Sequence, residues 1–298
     1  MNKYRLFAFA DMDFPPVAWS TMRGVFTSMD YVHSAISSGS ISFMMEGMIR
    51  SQNNKRLYNE TIIDYIRSKY YPNQVSRLSG MYFFKTREEA ISRINDKNWP
   101  EYFIENNLLE LDFYTFSKPT IVDSNWITYA DLNSQGLIDL ENLDWIHNYW
   151  SGKEYSSEPV WELISDGFAI VLNEDKRRNC ERLLKELFPE SHIQILISRL
   201  SSEAGGLGGL AFPFLLRVDD EYVKLTWLGY DKDFHDKDLI KKMMNHPDAP
   251  VLEKMMRENE TCRDIDFSKY NKLIKIQQYL IIENDVIPIV SVHSNESN

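Results

Sequence analysis

Three residue sets in this 298-residue sequence have types from which a site could be built, and each lacks a necessary partner. Gly205-Gly206-Leu207-Gly208-Gly209 offers a run of backbone N–H groups of the kind that cradle phosphate. A phosphate loop also needs a lysine and a hydroxyl at the start of the next helix, but here Leu210-Ala211-Phe212-Pro213 follows, and no GxGxxG spacing is present. A plain mobile loop is expected. The six histidines (His33, His147, His192, His235, His246 and His293) form no HExxH, and no two stand three or four residues apart. His235 between Asp231, Asp233, Asp236 and Asp238 is the most ion-like grouping, and no metal is expected there. Cys180 and Cys262 have no histidine neighbour and no GxSxG elbow occurs, which argues against acyl transfer through a covalent nucleophile.

The middle of the chain is different. Tyr71-Pro72-Asn73-Gln74-Val75-Ser76-Arg77-Leu78-Ser79-Gly80-Met81-Tyr82-Phe83-Phe84 sets a Ser-Arg pair and a second serine before an aromatic strand, and a helix containing Glu88-Glu89-Ala90 comes next. Later come Tyr149-Trp150-Ser151-Gly152-Lys153 and Pro159-Val160-Trp161-Glu162-Leu163-Ile164-Ser165-Asp166-Gly167. This order resembles the single-domain branch of the ADP-ribosyltransferase-like superfamily over about residues 1–175. In that family a PSRLxSxFxF strand–helix unit precedes a YWxG…PxxELLxxG unit that carries the catalytic glutamate.

The resemblance implies NAD as co-substrate, no metal, and a site assembled from both units. Glu162 matches the family's glutamate: a carboxylate under the ribose stabilises the positive charge that builds as the bond to nicotinamide breaks. Ser76 and Ser79 are expected at the ribose, Arg77 at the pyrophosphate, and Tyr82 and Tyr149 as flat faces for nicotinamide. The family's first strand supplies an arginine or histidine, which places Arg5 in the set. A plainer reading stands beside these roles, in which the serines satisfy a turn and the tyrosines fill the core. Val160 stands two residues before Glu162, where arginine-directed enzymes carry an acid or amide, so arginine is a poor candidate acceptor. Glu258-Asn259-Glu260 spells such a motif in a charged stretch and reads as surface.

The expected activity is therefore mono-ADP-ribosylation of a macromolecular acceptor, nucleic acid slightly ahead of protein, in a toxin-like role. A toxin–antitoxin or phage-defence setting would add a neutralising partner protein. A catalytically inactive binding module of the same fold and an NAD glycohydrolase are the alternatives.

These residues need a framework, and the composition can supply one. Hydrophobic residues make up 43% and charged residues 26%, which suits a globular chain and excludes wholesale disorder. Two cysteines support no disulfide scaffold, no apolar run reaches membrane-spanning length, and Asp11 cuts short the apolar run after Arg5; a cytoplasmic protein without membrane contact is expected. The net charge of −11 hides an asymmetry. Residues 50–97 carry ten basic and five acidic side chains, whereas residues 98–174 carry two basic and fourteen acidic ones. The first stretch could meet phosphates; the second opposes nonspecific polyanion binding.

Residues 4–10 read as a strand ended by Asp11 and the Pro15-Pro16 pair, and 28–50 and 54–70 as mainly helical. An aromatic strand over 79–84 is followed by a helix that Thr86 caps, with a carboxylate placed as in a capping box. Strands are expected over 108–116 and 120–129, a short helix over 140–149, strand-like structure over 160–172 around Asp166-Gly167, and a charged helix over 174–188. A strand pair over 212–228 and a hairpin turning at Asn284-Asp285 complete the reading. The fold class is α+β: an ADP-ribosyltransferase-like split sheet with helices over 1–175, and a smaller α+β unit over 176–298. The paired methionines Met243-Met244 and Met255-Met256 read as core packing.

Overall fold

The computed structural model describes residues 1–28, 39–230, 235–258, 263–282 and 285–292. His33, Asp231, Asp233, Asn259, Glu260, Cys262 and His293 lie outside the described residues.

Strand β1 (Asn2–Phe9) ends where expected, but Pro15-Pro16 does more than end it. The pair occupies the first positions of helix α1 (Pro15–Arg23), where proline's fixed φ suits a helix and its missing N–H costs nothing. All nine residues of α1 are buried, and Gly24 closes it at φ +80°. Next come β2 (Val25–Thr27), α2 (Phe43–Arg50), capped by the Ser42 hydroxyl, and α3 (Asn54–Tyr70), capped by the Asn53 side chain. Strand β3 (Met81–Phe83) leads into α4 (Arg87–Ile91), which has the expected capping box between Thr86 and Glu89.

Beyond it lie β4 (Leu108–Thr115) and β5 (Thr120–Asp123). The second strand is shorter than its residues promise, because the Asp123 side chain accepts from the backbone N–H groups of Asn125, Tyr155 and Val160 and turns the chain into α5 (Asn125–Thr128). Helix α6 (Asp144–Trp150) follows, then β6 (Trp161–Ser165) and β7 (Phe168–Val171), parted by Asp166-Gly167. Gly167 sits at φ +153°, and a Cβ there would collide with the Tyr114 carbonyl, so only glycine fits this turn. The remainder is α7 (Glu174–Leu187), α8 (His192–Glu203), β8 (Leu210–Arg217), β9 (Tyr222–Tyr230), α9 (Lys237–Met244), α10 (Ala249–Arg257), β10 (Lys272–Ile282) and β11 (Asp285–Val292).

The architecture is α+β, and the described residues form three antiparallel sheets, ordered β1-β4-β7-β2, β3-β6-β5 and β11-β10-β9-β8. Phe7 and Phe84 exchange backbone hydrogen bonds at 3.0 and 2.7 Å, which joins the first two sheets at one edge. Side-chain alternation along β6 feeds two cores: Ile164 packs among Ile62, Ile63, Ile66 and Trp150, while Leu163 packs with Phe83 and Phe113. Helix α7 lies on α1, where Cys180 and Leu184 share a core with Trp19 and Met22. Ile282 and Ile287 of the last two strands pack on the core beside α3. Among the described residues, no helix is long and apolar enough to cross a membrane.

Candidate functional site

Helix α3 carries two carboxylates one turn apart, Glu60 and Asp64, and together they fix the loop that precedes β3. Asp64 Oδ1 accepts from the Ser76 hydroxyl at 2.7 Å, and Glu60 accepts side-on from Arg77, Nε to Oε2 at 2.8 Å and Nη2 to Oε1 at 3.0 Å. The loop is fastened from other sides as well. The Arg77 carbonyl accepts from the Tyr82 hydroxyl at 2.6 Å and the Ser42 hydroxyl at 3.3 Å, and Val75 N–H donates to Thr120. Gly80 is needed for this approach, since a Cβ would stand 2.7 Å from Val75 and 2.8 Å from Ile164.

Arg77 then reaches across to the second unit of the predicted site. Its Nη1 donates to Glu162 Oε2 at 2.7 Å and to the Tyr149 hydroxyl at 2.7 Å, and that hydroxyl lies 3.5 Å from the same carboxylate oxygen. Arg77 is 3%, Glu60 1% and Glu162 7% exposed, so one guanidinium neutralises two carboxylates away from bulk water. Burial would raise the Glu60 carboxyl, but the Arg77 charge outweighs it and holds the group below its ordinary value. Burial would lower the Arg77 guanidinium, and Glu60, the two tyrosines and Glu162 hold it well above its ordinary value instead. Burial pushes both tyrosine hydroxyls well up, so they stay protonated.

The network opens onto a cleft of about 950 Å³ whose lining includes Arg77, Ser79, Tyr82 and Glu162 together with residues of α2. That volume lies in the range of about 300–1,000 Å³ usual for small-molecule sites. Glu162 Oε1 takes no hydrogen bond from any described residue. Arg50 and Arg56 bring positive charge to the lining, and Trp99 and Tyr102 bring aromatic surface.

The structure thus brings together Arg77, Tyr82, Tyr149 and Glu162, with Ser79 beside them on the lining. Four predicted residues stand elsewhere or act differently. Ser76 turns its hydroxyl to Asp64 and Leu78 N–H, as the plainer turn reading has it. Tyr149 is wholly buried against Trp150 and does not line the cleft, and its hydroxyl meets Arg77 and Glu162. Arg5 pairs with Glu110 and Asp112 on the exposed face of β1 and β4, away from the cleft, because the β1–β4 register sets it opposite Asp112. All three nitrogens of Arg77 are engaged within the protein, so it orients carboxylates and is not available to a pyrophosphate.

Two further acidic residues belong to the site. Glu60 was hidden among the buried positions of α3, and Glu46 among the apolar residues of α2. A carboxylate at a core position of an otherwise apolar face is the signal that marks both. The glycine-rich loop, by contrast, is a docking point for α1. Trp19 Nε1 donates to the Gly209 carbonyl at 2.7 Å, and the buried Arg23 donates to the Leu207 and Gly208 carbonyls.

No curated protein matches the chain. Residues 25–177, just over half of the sequence and inclusive of Glu46, Glu60, Arg77, Tyr149 and Glu162, match the family model described as "Protein of unknown function (DUF2441)", and the chain belongs to that family.

Proposed function

We propose that the chain is an NAD-dependent mono-ADP-ribosyltransferase with an ADP-ribosyltransferase-like fold, in which Glu162 is the catalytic carboxylate. The observation that carries this reading is that Arg77 and Glu162, 85 residues apart, meet in the lining of one large cleft, with the buried Tyr149 hydroxyl, 72 residues from Arg77, behind them. The antiparallel sheets β1-β4-β7-β2 and β3-β6-β5, joined at Phe7–Phe84, support the fold reading.

NAD supplies the ADP-ribose and a leaving nicotinamide. The cleft is large enough for a dinucleotide, and its mixed aromatic and cationic lining suits one. Arg77 holds one oxygen of Glu162, which fixes the carboxylate in orientation and leaves Oε1 for the substrate. A charge fixed in this way, screened from water, stabilises positive charge on a neighbouring sugar without reorganising. Tyr149 adds a second anchor from below. Arg50 and Arg56 are the cations placed to meet a pyrophosphate, the role that Arg77 cannot take.

One observation favours a second reading, a binding module of the same fold: Glu162 Oε2 already has a full partner in Arg77, as a purely structural carboxylate would. Both readings meet one experiment. NAD labelled in its adenylate is mixed with fractionated cell lysate and either the parent chain or Glu162→Gln, and released nicotinamide is followed in parallel. Label entering an RNA, DNA or protein fraction only with the parent supports transfer. Nicotinamide release without labelling indicates hydrolysis, and intact NAD in every sample favours the binding module.

A further inference from the structure

We propose that Glu46 is a second catalytic carboxylate of this cleft, the base that takes the proton from the acceptor atom to which ADP-ribose is transferred; the inference rests on the transferase reading above. Glu46 stands on α2, the helix whose N-terminus is tied to the Arg77 loop through Ser42, and Met44 Sδ lies 3.9 Å from Arg77 Nη2. Glu46 therefore lines the same cleft as Glu162, on a different element.

A buried carboxylate in a structural role is normally saturated with hydrogen bonds. Glu46 is 1% exposed; its Oε2 accepts one long hydrogen bond from Arg50 Nε at 3.5 Å, and its buried Oε1 takes none, with Arg50 Nε 3.3 Å away. Arg50 is also shared, reaching Asp11 at 3.3 Å and lying 4.0 Å over the Phe14 ring. Glu46 is among the residues that line the cleft. A buried carboxylate oxygen without a donor, in a residue that lines the cleft, is a proton acceptor awaiting one.

The surroundings tune it to that task. Burial is the main force raising its carboxyl, to about 7, against the pull of Arg50 and with help from Asp11. Tyr102 from the 98–107 loop faces the same group, its own hydroxyl pushed up to about 12 by burial, with Arg56 of α3 close by. A base that titrates near neutrality is half available there and strong enough to accept a proton.

The step balances. The acceptor's lone pair forms the new bond to ribose C1′, and the electron pair of the C1′–N bond leaves with nicotinamide. The acceptor's proton passes to Glu46, which returns it to solvent. Glu162 faces the developing charge on the sugar and Glu46 the incoming nucleophile, so the two carboxylates divide the reaction between them.

The test compares parent, Glu46→Gln, Glu46→Asp and Glu162→Gln, using adenylate-labelled NAD and fractionated lysate from pH 5 to pH 9. The parent should label with a rate rising to a plateau through a limb near pH 7. Glu46→Gln should label about 10²-fold more slowly on the plateau and lose that limb, while Glu46→Asp restores part of both. NAD should still raise the melting temperature of Glu46→Gln as it does the parent's. Independently of turnover, the parent's melting temperature should fall between pH 5 and pH 8 more than that of Glu46→Gln. Labelling by Glu46→Gln at the parent's rate with the same limb, while Glu162→Gln is dead, would overturn the role of Glu46 and leave the transferase reading standing. Loss of the NAD-induced shift in Glu46→Gln would overturn it too, by making Glu46 a binding residue. A parent that labels nothing overturns both.

Discussion

Arg77 and Glu60 meet side-on, with two parallel hydrogen bonds of 2.8 and 3.0 Å, and neither side chain is more than 3% exposed. The pair joins α3 to the β3–β6 region, and through Nη1 it also sets the position of Glu162. Stability and the geometry of the cleft wall therefore depend on one guanidinium.

Replacing that guanidinium should be costly. Arg77→Met leaves Glu162 buried without a cation and Glu60 with only Arg56 at 3.8 Å, and removing one partner of a buried pair costs about 3–5 kcal/mol. Arg77→Lys should also destabilise, because an ammonium cannot make the side-on pair with Glu60 and reach Glu162 together. Urea unfolding measures both, and a loss below about 1 kcal/mol in Arg77→Met would show that the network contributes little.

The local elements of this framework are legible in the sequence. The 54–70 helix, the Thr86 capping box, the charged helix after 174 and the turn at Asp166-Gly167 all stand where periodicity and turn chemistry put them. The grouping of Arg77, Tyr82, Tyr149 and Glu162 was legible through motif order. What stayed hidden is long-range. Glu60 stands on the apolar face of α3, but its partner is hidden until Arg77, 17 residues on, folds back over it. Arg5 lies in the expected strand, but strand alternation turned it to the exposed face, and only the pairing with β4 reveals that. Nor could the glycine-rich loop be assigned its role, since its anchors Trp19 and Arg23 are about 190 residues away in sequence.

Gly167 should tolerate no side chain. At φ +153° an L residue is strained, and its Cβ would collide with the Tyr114 carbonyl across the sheet. Gly167→Ala should cost at least about 2 kcal/mol from backbone strain and displacement of β7. The thermal unfolding midpoint reports the loss, and an unchanged midpoint would mean that the β6–β7 turn adopts another conformation.

Cys180 should be inert in the native chain. It is buried between α1 and α7, and burial pushes its thiol up to about 12, so almost no thiolate exists at neutral pH. Mass spectrometry after brief iodoacetamide treatment at pH 8 should find Cys180 unmodified in the folded protein and alkylated in denaturant. Rapid native labelling at Cys180 would mean that α7 detaches readily from α1.

Two buried carboxylates should give stability an optimum in mildly acidic solution. Glu60 is held below its ordinary value of 4.5 in the folded chain, because burial is outweighed by Arg77. Its contribution is present above about pH 4.5 and is lost as the pH falls through the folded value. Glu46 acts in the opposite sense: burial raises it from 4.5 to about 7, so its contribution is complete below about pH 4.5 and is lost as the pH rises through 7. A rise of that size corresponds to about 3 kcal/mol between pH 4.5 and pH 8. Urea unfolding across pH 4–9 should therefore show Glu46→Gln gaining on the parent above pH 7 and Glu60→Gln losing its advantage from Arg77 at every pH above 4.5. Parallel pH profiles for the parent and Glu46→Gln would show that Glu46 ionises as freely in the cleft as it does in water.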